Sequence, residues 1–233
     1  MELRIDARKT AVTLLIVAIV LIMLHVGGML SRYVLGHGRL LGVIDTFNVN
    51  HENNVPTFFS AFLLLSCAAL LAVVARKPDQ TARDARYWRW LALIFLFLAL
   101  DEDASIHELW TGPIQYLLPM DGMFYFAWII PYGIGLLLIG LVYLRFMFRL
   151  REPTRRLAIL AGSLYVAGAL GFEMIGGWYL STFGEDVDFP YSIIVAGEEF
   201  LEMCGSILFL YALLGYLGDG LRGGPLRILV NSR

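Results

Sequence analysis

The feature that most constrains this chain is a series of six long apolar runs, near residues 10–35, 55–75, 87–110, 123–148, 154–183 and 191–217. The hydrocarbon core of a bilayer is about 30 Å thick and a helix rises about 1.5 Å per residue, so roughly 20 apolar residues cross it. Each run has that length, and short polar linkers separate them. In lipid the backbone must satisfy its own hydrogen bonds, which makes helix the spanning form for such segments. The sequence therefore predicts an all-α, polytopic membrane helix bundle of six transmembrane helices, forming one domain over residues 1–233. Composition agrees: 58% hydrophobic and 16% charged residues, with a mean hydropathy of +0.69, exclude an ordinary soluble domain and a disordered chain. The first run starts beside basic residues, but it is longer than a secretory h-region and no small-x-small cleavage pattern follows, so it reads as a retained span.

Charge decides the expected orientation. Short cytoplasmic loops retain Lys and Arg. Sixteen of the 18 basic residues fall in alternate connections: Arg4, Arg8 and Lys9; Arg76 to Arg89; Arg145 to Arg156; and Arg222, Arg227 and Arg233. Only Arg32 and Arg39 fall on the other side, which places both termini in the cytoplasm and suits a plasma (inner) membrane protein. A net charge of -2 points to neither a nucleic-acid partner nor an acidic substrate, and membrane lipid is the expected surrounding partner. Cys67 and Cys204 fall within apolar runs, where small buried side chains are the ordinary reading. The sequence contains no Walker motif, Gly-x-Ser-x-Gly elbow, Cys-x-x-Cys pair or His-Glu-x-x-His helix.

Acids gather on the side opposite the basic loops, fourteen of 20 by the same count. Several lie at membrane depth. With Arg89 at the inner end of the third run, Asp101 stands about 18 Å along the helix and Glu108 about 28 Å. A continuous helix would put those two within about 20° of one another. Entering the sixth run from Pro190, Glu198 and Glu202 lie about 12 and 18 Å down, on one face with Gly205. Glu173 and Glu52 are expected nearer the rim, Asp103 faces water if the third helix is short, and Glu185, Asp186 and Asp188 read as loop charges. Intramembrane ionisable groups cost about 2.5–3.5 kcal/mol each on insertion scales and are normally partnered. The cations near these acids are His107, His51 and Arg32, too few to balance them.

That surplus needs a cation, shared protons or a wet vestibule. Carboxylates with an imidazole suit a divalent metal such as Mn, Fe or Zn. The expected metal ligands are Asp101, Glu108, Glu198, Glu202 and His107, with His107, Glu199 and Glu173 as candidate catalytic or supporting groups. The leading expectation is a metal-binding membrane protein, extended to a metal-dependent enzyme acting on a lipid or other outer-leaflet substrate. The alternatives are a cation- or proton-coupled transporter and a non-catalytic accessory subunit of a membrane complex. The Glu-x-x-His spacing of carboxylate-bridged metal bundles is absent.

Other residues carry structural expectations. His25 in the first run is expected to bond across helices in preference to ligating haem. Tyr87, Trp88 and Trp90, and opposite them Trp110, Tyr116, Tyr125, Trp128, Trp178 and Tyr179, would form interfacial belts. Gly162, Gly168, Gly171, Gly176 and Gly177 would let the fifth helix pack closely, Pro131, Gly133 and Gly135 would kink the fourth, and Asn54 would cap the second.

Overall fold

The structure, a computed structural model, describes residues 2–38, 42–51, 53–184, 186–218 and 226–229. A short strand β1 (Glu2–Ile5) leads into α1 (Ala7–Met29), which Asp6 caps by accepting from the Lys9 N–H and which a π-helical turn extends to Val34. A short α2 (Val43–Thr46) precedes α3 (Val55–Val74). The Asn54 side chain caps α3 through the Thr57 N–H at 3.1 Å, with Pro56 in the first turn, as the sequence leads one to expect. Then come α4 (Ala82–Ala104), α5 (Thr111–Leu117), α6 (Ile129–Met147), α7 (Glu152–Val166), α8 (Glu173–Phe183) and α9 (Phe189–Leu217). A strand β2 (Leu226–Leu229) pairs antiparallel with β1, so the two ends of the described chain meet on one face.

The fold is thus helical, and among the described residues five helical stretches are long and apolar enough to cross a membrane: Ala7–Val34, Val55–Val74, Ile129–Met147, Glu152–Phe183 and Phe189–Leu217. The expected third span, α4, has 23 residues but is charged at both ends. Many large apolar side chains face outward, Met23 at 67% and Leu137 at 64% exposure among them, which lipid tolerates and water does not. The central element is α9, packed on α1, α3, α7 and α8. At the end opposite the acids, a core of Cys67 and Leu71 (α3), Trp88 (α4), Phe146 (α6) and Leu213 (α9) locks the helices together.

Several expectations are corrected. The third run does not continue to residue 110: α4 stops at Ala104, Ser105 adopts a left-handed conformation at φ 49°, and His107–Trp110 forms a separate 3₁₀ turn. Three successive acids at a helix C-terminus oppose the macrodipole, and the Asp101 carboxylate instead accepts the His107 N–H at 2.7 Å, holding the reversed chain. Pro131 lies in the first turn of α6, where no amide hydrogen is required, so α6 runs on unbroken. Trp88 and Trp128 are core residues at 1% and 6% exposure, not interfacial anchors. Asp188 is the N-cap of α9, accepting from the Tyr191 N–H at 2.9 Å and from the Tyr179 hydroxyl at 2.7 Å. Of the five glycines in the fifth run, Gly168, Gly176 and Gly177 meet neighbours where a Cβ would stand, whereas Gly162 and Gly171 face open space. Arg39, Glu52 and Glu185 lie outside the described residues.

His25 is fully buried and bridges three segments. Its Nδ1 accepts the Val49 N–H at 3.2 Å, which leaves Nε2 to donate to the Ser192 carbonyl at 3.1 Å. With both ring nitrogens engaged it acts as a cross-helix tie.

Candidate functional site

Two close approaches and one irregular turn bring the acids together. The fifth span changes from α7 to a π-helical stretch at Ala167–Phe172 before resuming as α8, so Glu173 opens a helix segment with shifted register. At Gly168 a Cβ would lie 2.7 Å from both the Glu198 carbonyl oxygen and Glu202 Cγ. At Gly205 it would lie 2.7 Å from the Tyr165 nitrogen and 2.8 Å from the Ala161 carbonyl oxygen. Two glycines, Gly168 in the π-helical stretch and Gly205 on α9, therefore set the contact between the fifth run and α9, and Glu198 and Glu202 sit within it.

An elongated cavity of about 1200 Å³ lies between α4, α6, α7 and α9. Asp101, His107, Glu108, Glu173, Glu198, Glu199 and Glu202, every site candidate named from sequence, line it together with Glu102. Their depths differ. Asp101 is buried at 5% exposure, His107, Glu102, Glu173, Glu198, Glu199 and Glu202 are half-buried, and Glu108 is exposed at the mouth. Asp103 is exposed and turned away from the cavity-lining set. Arg32 does not reach the cluster and instead forms an ion pair with Asp45.

Within the cavity the carboxylates find specific partners. Asp101 Oδ1 takes the Tyr132 hydroxyl at 3.0 Å as well as the His107 N–H, and His107 Nδ1 lies 3.4 Å away. The His107 ring rests against the Trp128 indole with centroids 4.6 Å apart. Trp128 Nε1 donates to Glu173 Oε1 at 3.1 Å, and the Glu173 and Glu198 carboxyl groups are within hydrogen-bonding reach of each other. The Tyr165 hydroxyl bonds Glu202, and the charges of Glu102 and Glu199 act on that same carboxyl group. Burial pulls the His107 imidazole down, but its hydrogen bond and ion pair with Asp101, helped by Glu108 and Glu173, outweigh burial and hold it above its ordinary pKa.

Tyr132, Trp128 and Tyr165 are site residues that the sequence reading missed. Trp128 and Tyr132 stand four apart, on one helical face, and Tyr165 stands eight before Glu173; polar aromatics at those spacings beside acids were the available signal. Trp128 is positioned by the segment before α6. There Asp121 accepts from the Gly122 N–H at 2.8 Å and from the Ser181 hydroxyl, while Tyr125 and Phe126 press on Gly177 of α8.

Seven carboxyl groups line this cavity, and among its described lining residues the only Lys or Arg is Arg155. Arg155 precedes Tyr165 by ten residues, about 15 Å along α7, so it lies at the other end. Among the described residues no three His, Cys, Asp or Glu side chains converge tightly enough to hold a metal ion. The lining side chains that carry metal-ligating groups are the seven carboxylates and the imidazoles of His107 and His51.

A family profile described as a domain of unknown function (DUF8692) matches residues 13–217. No curated protein and no solved structure matches the chain.

Proposed function

The chain belongs to the DUF8692 family, and we propose that it is a six-span membrane protein whose cavity binds a divalent metal ion among its carboxylates. The observation that carries this reading is the convergence of seven carboxyl groups on one cavity whose acid end has no Lys or Arg among its described lining residues. Concentrated negative charge at membrane depth is costly, and a bound cation offsets it. Oxygen donors with one imidazole suit Mn, Fe or Zn. Glu173, Glu198 and Glu202 each have three rotatable side-chain bonds, and their rotation within the cavity draws ligands around the ion.

In this reading α4 is the sixth span. Its 23 residues extend about 34 Å, and it packs on α3 with Asp101 at the level of the cluster. The pairing of β1 with β2 favours an even number of crossings, and the basic loops favour a cytoplasmic side for those ends, in a plasma (inner) membrane. If the centre is catalytic, His107 is the proton-transfer group and Glu173 and Glu199 are supporting carboxylates around the metal-bound reactant.

The test is elemental analysis of the purified, detergent-solubilised protein beside the Glu198→Gln/Glu202→Gln double variant. The expected result is near-stoichiometric transition metal in the wild type and at least a tenfold loss in the variant. Equal, negligible metal in two folded proteins overturns the reading. One observation favours a second reading: Glu173 and Glu198 are within hydrogen-bonding reach, and two carboxyl groups share such a bond only when one holds a proton. A proton-coupled carrier would then acidify vesicles on substrate addition without retaining metal. An accessory subunit would do neither.

A further inference from the structure

The cavity is longer than the acid cluster it contains. Towards the cytoplasmic side its walls become largely apolar, formed by Ile94 and Leu98 of α4, Ile139 of α6, Ile159 of α7 and Phe209 of α9, with Arg155 at the far end. Asp101 and Leu91 both line it and are ten residues apart, so the trough runs about 15 Å along α4 beyond the acids. Its volume of about 1200 Å³ exceeds the roughly 300–1,000 Å³ of an ordinary small-ligand pocket.

The wall between α4 and α6 is closed at its two ends. At the cytoplasmic end the Tyr143 hydroxyl donates to the Tyr87 carbonyl at 2.8 Å, Tyr87 stacks on Phe146, and Arg149 pairs with Asp84 at 2.8 Å. At the outer end Tyr132 bonds Asp101 and Trp128 packs on His107. Between these ties α6 presents Gly135 and Gly140, both lining the cavity, and a Cβ at either position would meet nothing within 4 Å. The two helices touch only sparsely overall.

We infer that the gap between α4 and α6 is a lateral portal in the hydrocarbon region, and that the cavity takes a long-chain amphiphile from the bilayer with its chain in the trough and its polar end at the acids. This rests on the proposed membrane placement and deepens the cation-site reading by naming the substrate class. An opening at that depth exchanges with lipid chains, because water has no hydrogen-bonding partner there. Charge selects the head group. Even with a proton shared between Glu173 and Glu198 and one divalent ion bound, the seven carboxyl groups leave the acid end negative and repel a phosphate or a fatty acid, so a hydroxyl- or amine-bearing head fits. The acids and the aromatic hydroxyls of Tyr132 and Tyr165 supply its hydrogen-bond partners.

The test uses the full chain in lipid nanodiscs with photoactivatable long-chain alcohol, amine and fatty-acid probes of equal chain length, the adducts being mapped by mass spectrometry. The alcohol and amine are expected to label residues 91–98, 135–144 and 158–162 at least fivefold more than the fatty acid does. Gly140→Trp, or Gly140→Leu where the tryptophan variant does not fold, is expected to cut that labelling at least fivefold and leave metal content unchanged. Even labelling of outward residues such as Met23 and Ile16, equal labelling by the fatty acid, or indifference to both Gly140 variants overturns the inference. Selective trough labelling of a protein that holds no metal supports the portal and defeats the cation reading alone.

Discussion

Replacing Gly168 with alanine probes the contact on which the carboxylate cluster depends. The new Cβ would stand 2.7 Å from the Glu198 carbonyl oxygen and from Glu202 Cγ, and 3.2 Å from the Glu202 nitrogen. Ordinary contact begins near 3.4 Å, so α9 must retreat by about 0.7 Å, and two of the three obstructing atoms are backbone that no rotamer change can move. Overpacking of this kind costs about 1–3 kcal/mol. Gly162→Ala is the matched control, six residues earlier on α7 and facing open space. There the substitution removes glycine's entropic penalty and is expected to stabilise by about 0.5–1 kcal/mol. The two variants should differ in sign and by roughly 1.5–4 kcal/mol in reversible unfolding by SDS in mixed micelles, followed by tryptophan fluorescence. Retreat of α9 should also part Glu202 from the Tyr165 hydroxyl. Gly168→Ala matching Gly162→Ala within about 0.5 kcal/mol would refute the close approach as the element that positions the site.

Other perturbations test separate parts of the structure. His25→Leu strips the buried Val49 N–H of its acceptor and should destabilise by about 1–3 kcal/mol in the same unfolding assay. Asp101→Ala removes the acceptor that holds the chain reversal, and hydrogen exchange across residues 105–110 should accelerate at least tenfold; Asp101→Asn, which keeps an acceptor oxygen, should protect that turn far better. For His107 the folded pKa is raised, so its stabilising contribution is complete below the ordinary value of 6.5 and is lost as pH climbs through the folded value. The stability difference between metal-free wild type and His107→Gln should therefore shrink as pH rises above 6.5, and an unchanging difference would count against the Asp101–His107 pair.

The helical architecture was legible because bilayer thickness imposes a length that apolar runs reveal directly: α3 begins where Asn54 and Pro56 signal a start, and α9 begins within two residues of the expected position 191. That the acids share one cavity was also legible, since acids at matching depth on different helices have few places to go. Its construction was not. Helical angles placed Glu108 on the Asp101 face of a continuous helix, but the chain breaks at Ser105 and reaches the cavity by folding back, a tertiary choice made by the Asp101 carboxylate. The π-helical turn before Glu173 leaves no periodic trace, and the glycines that matter could be told from those that do not only by what faces them. Trp88 and Trp128 have the composition of interfacial anchors, yet packing against Phe146 and bonding to Glu173 claim them for the interior.

Anomalous X-ray scattering from the manganese-loaded protein tests the cation site most directly. The expected result is a single strong peak inside the cavity, within coordination distance of at least two of Glu173, Glu198, Glu202, Asp101 and His107, and its loss in Glu198→Gln/Glu202→Gln. A cavity without a peak, its carboxyl groups still paired with one another and with Tyr165 and Trp128, would contradict the assignment.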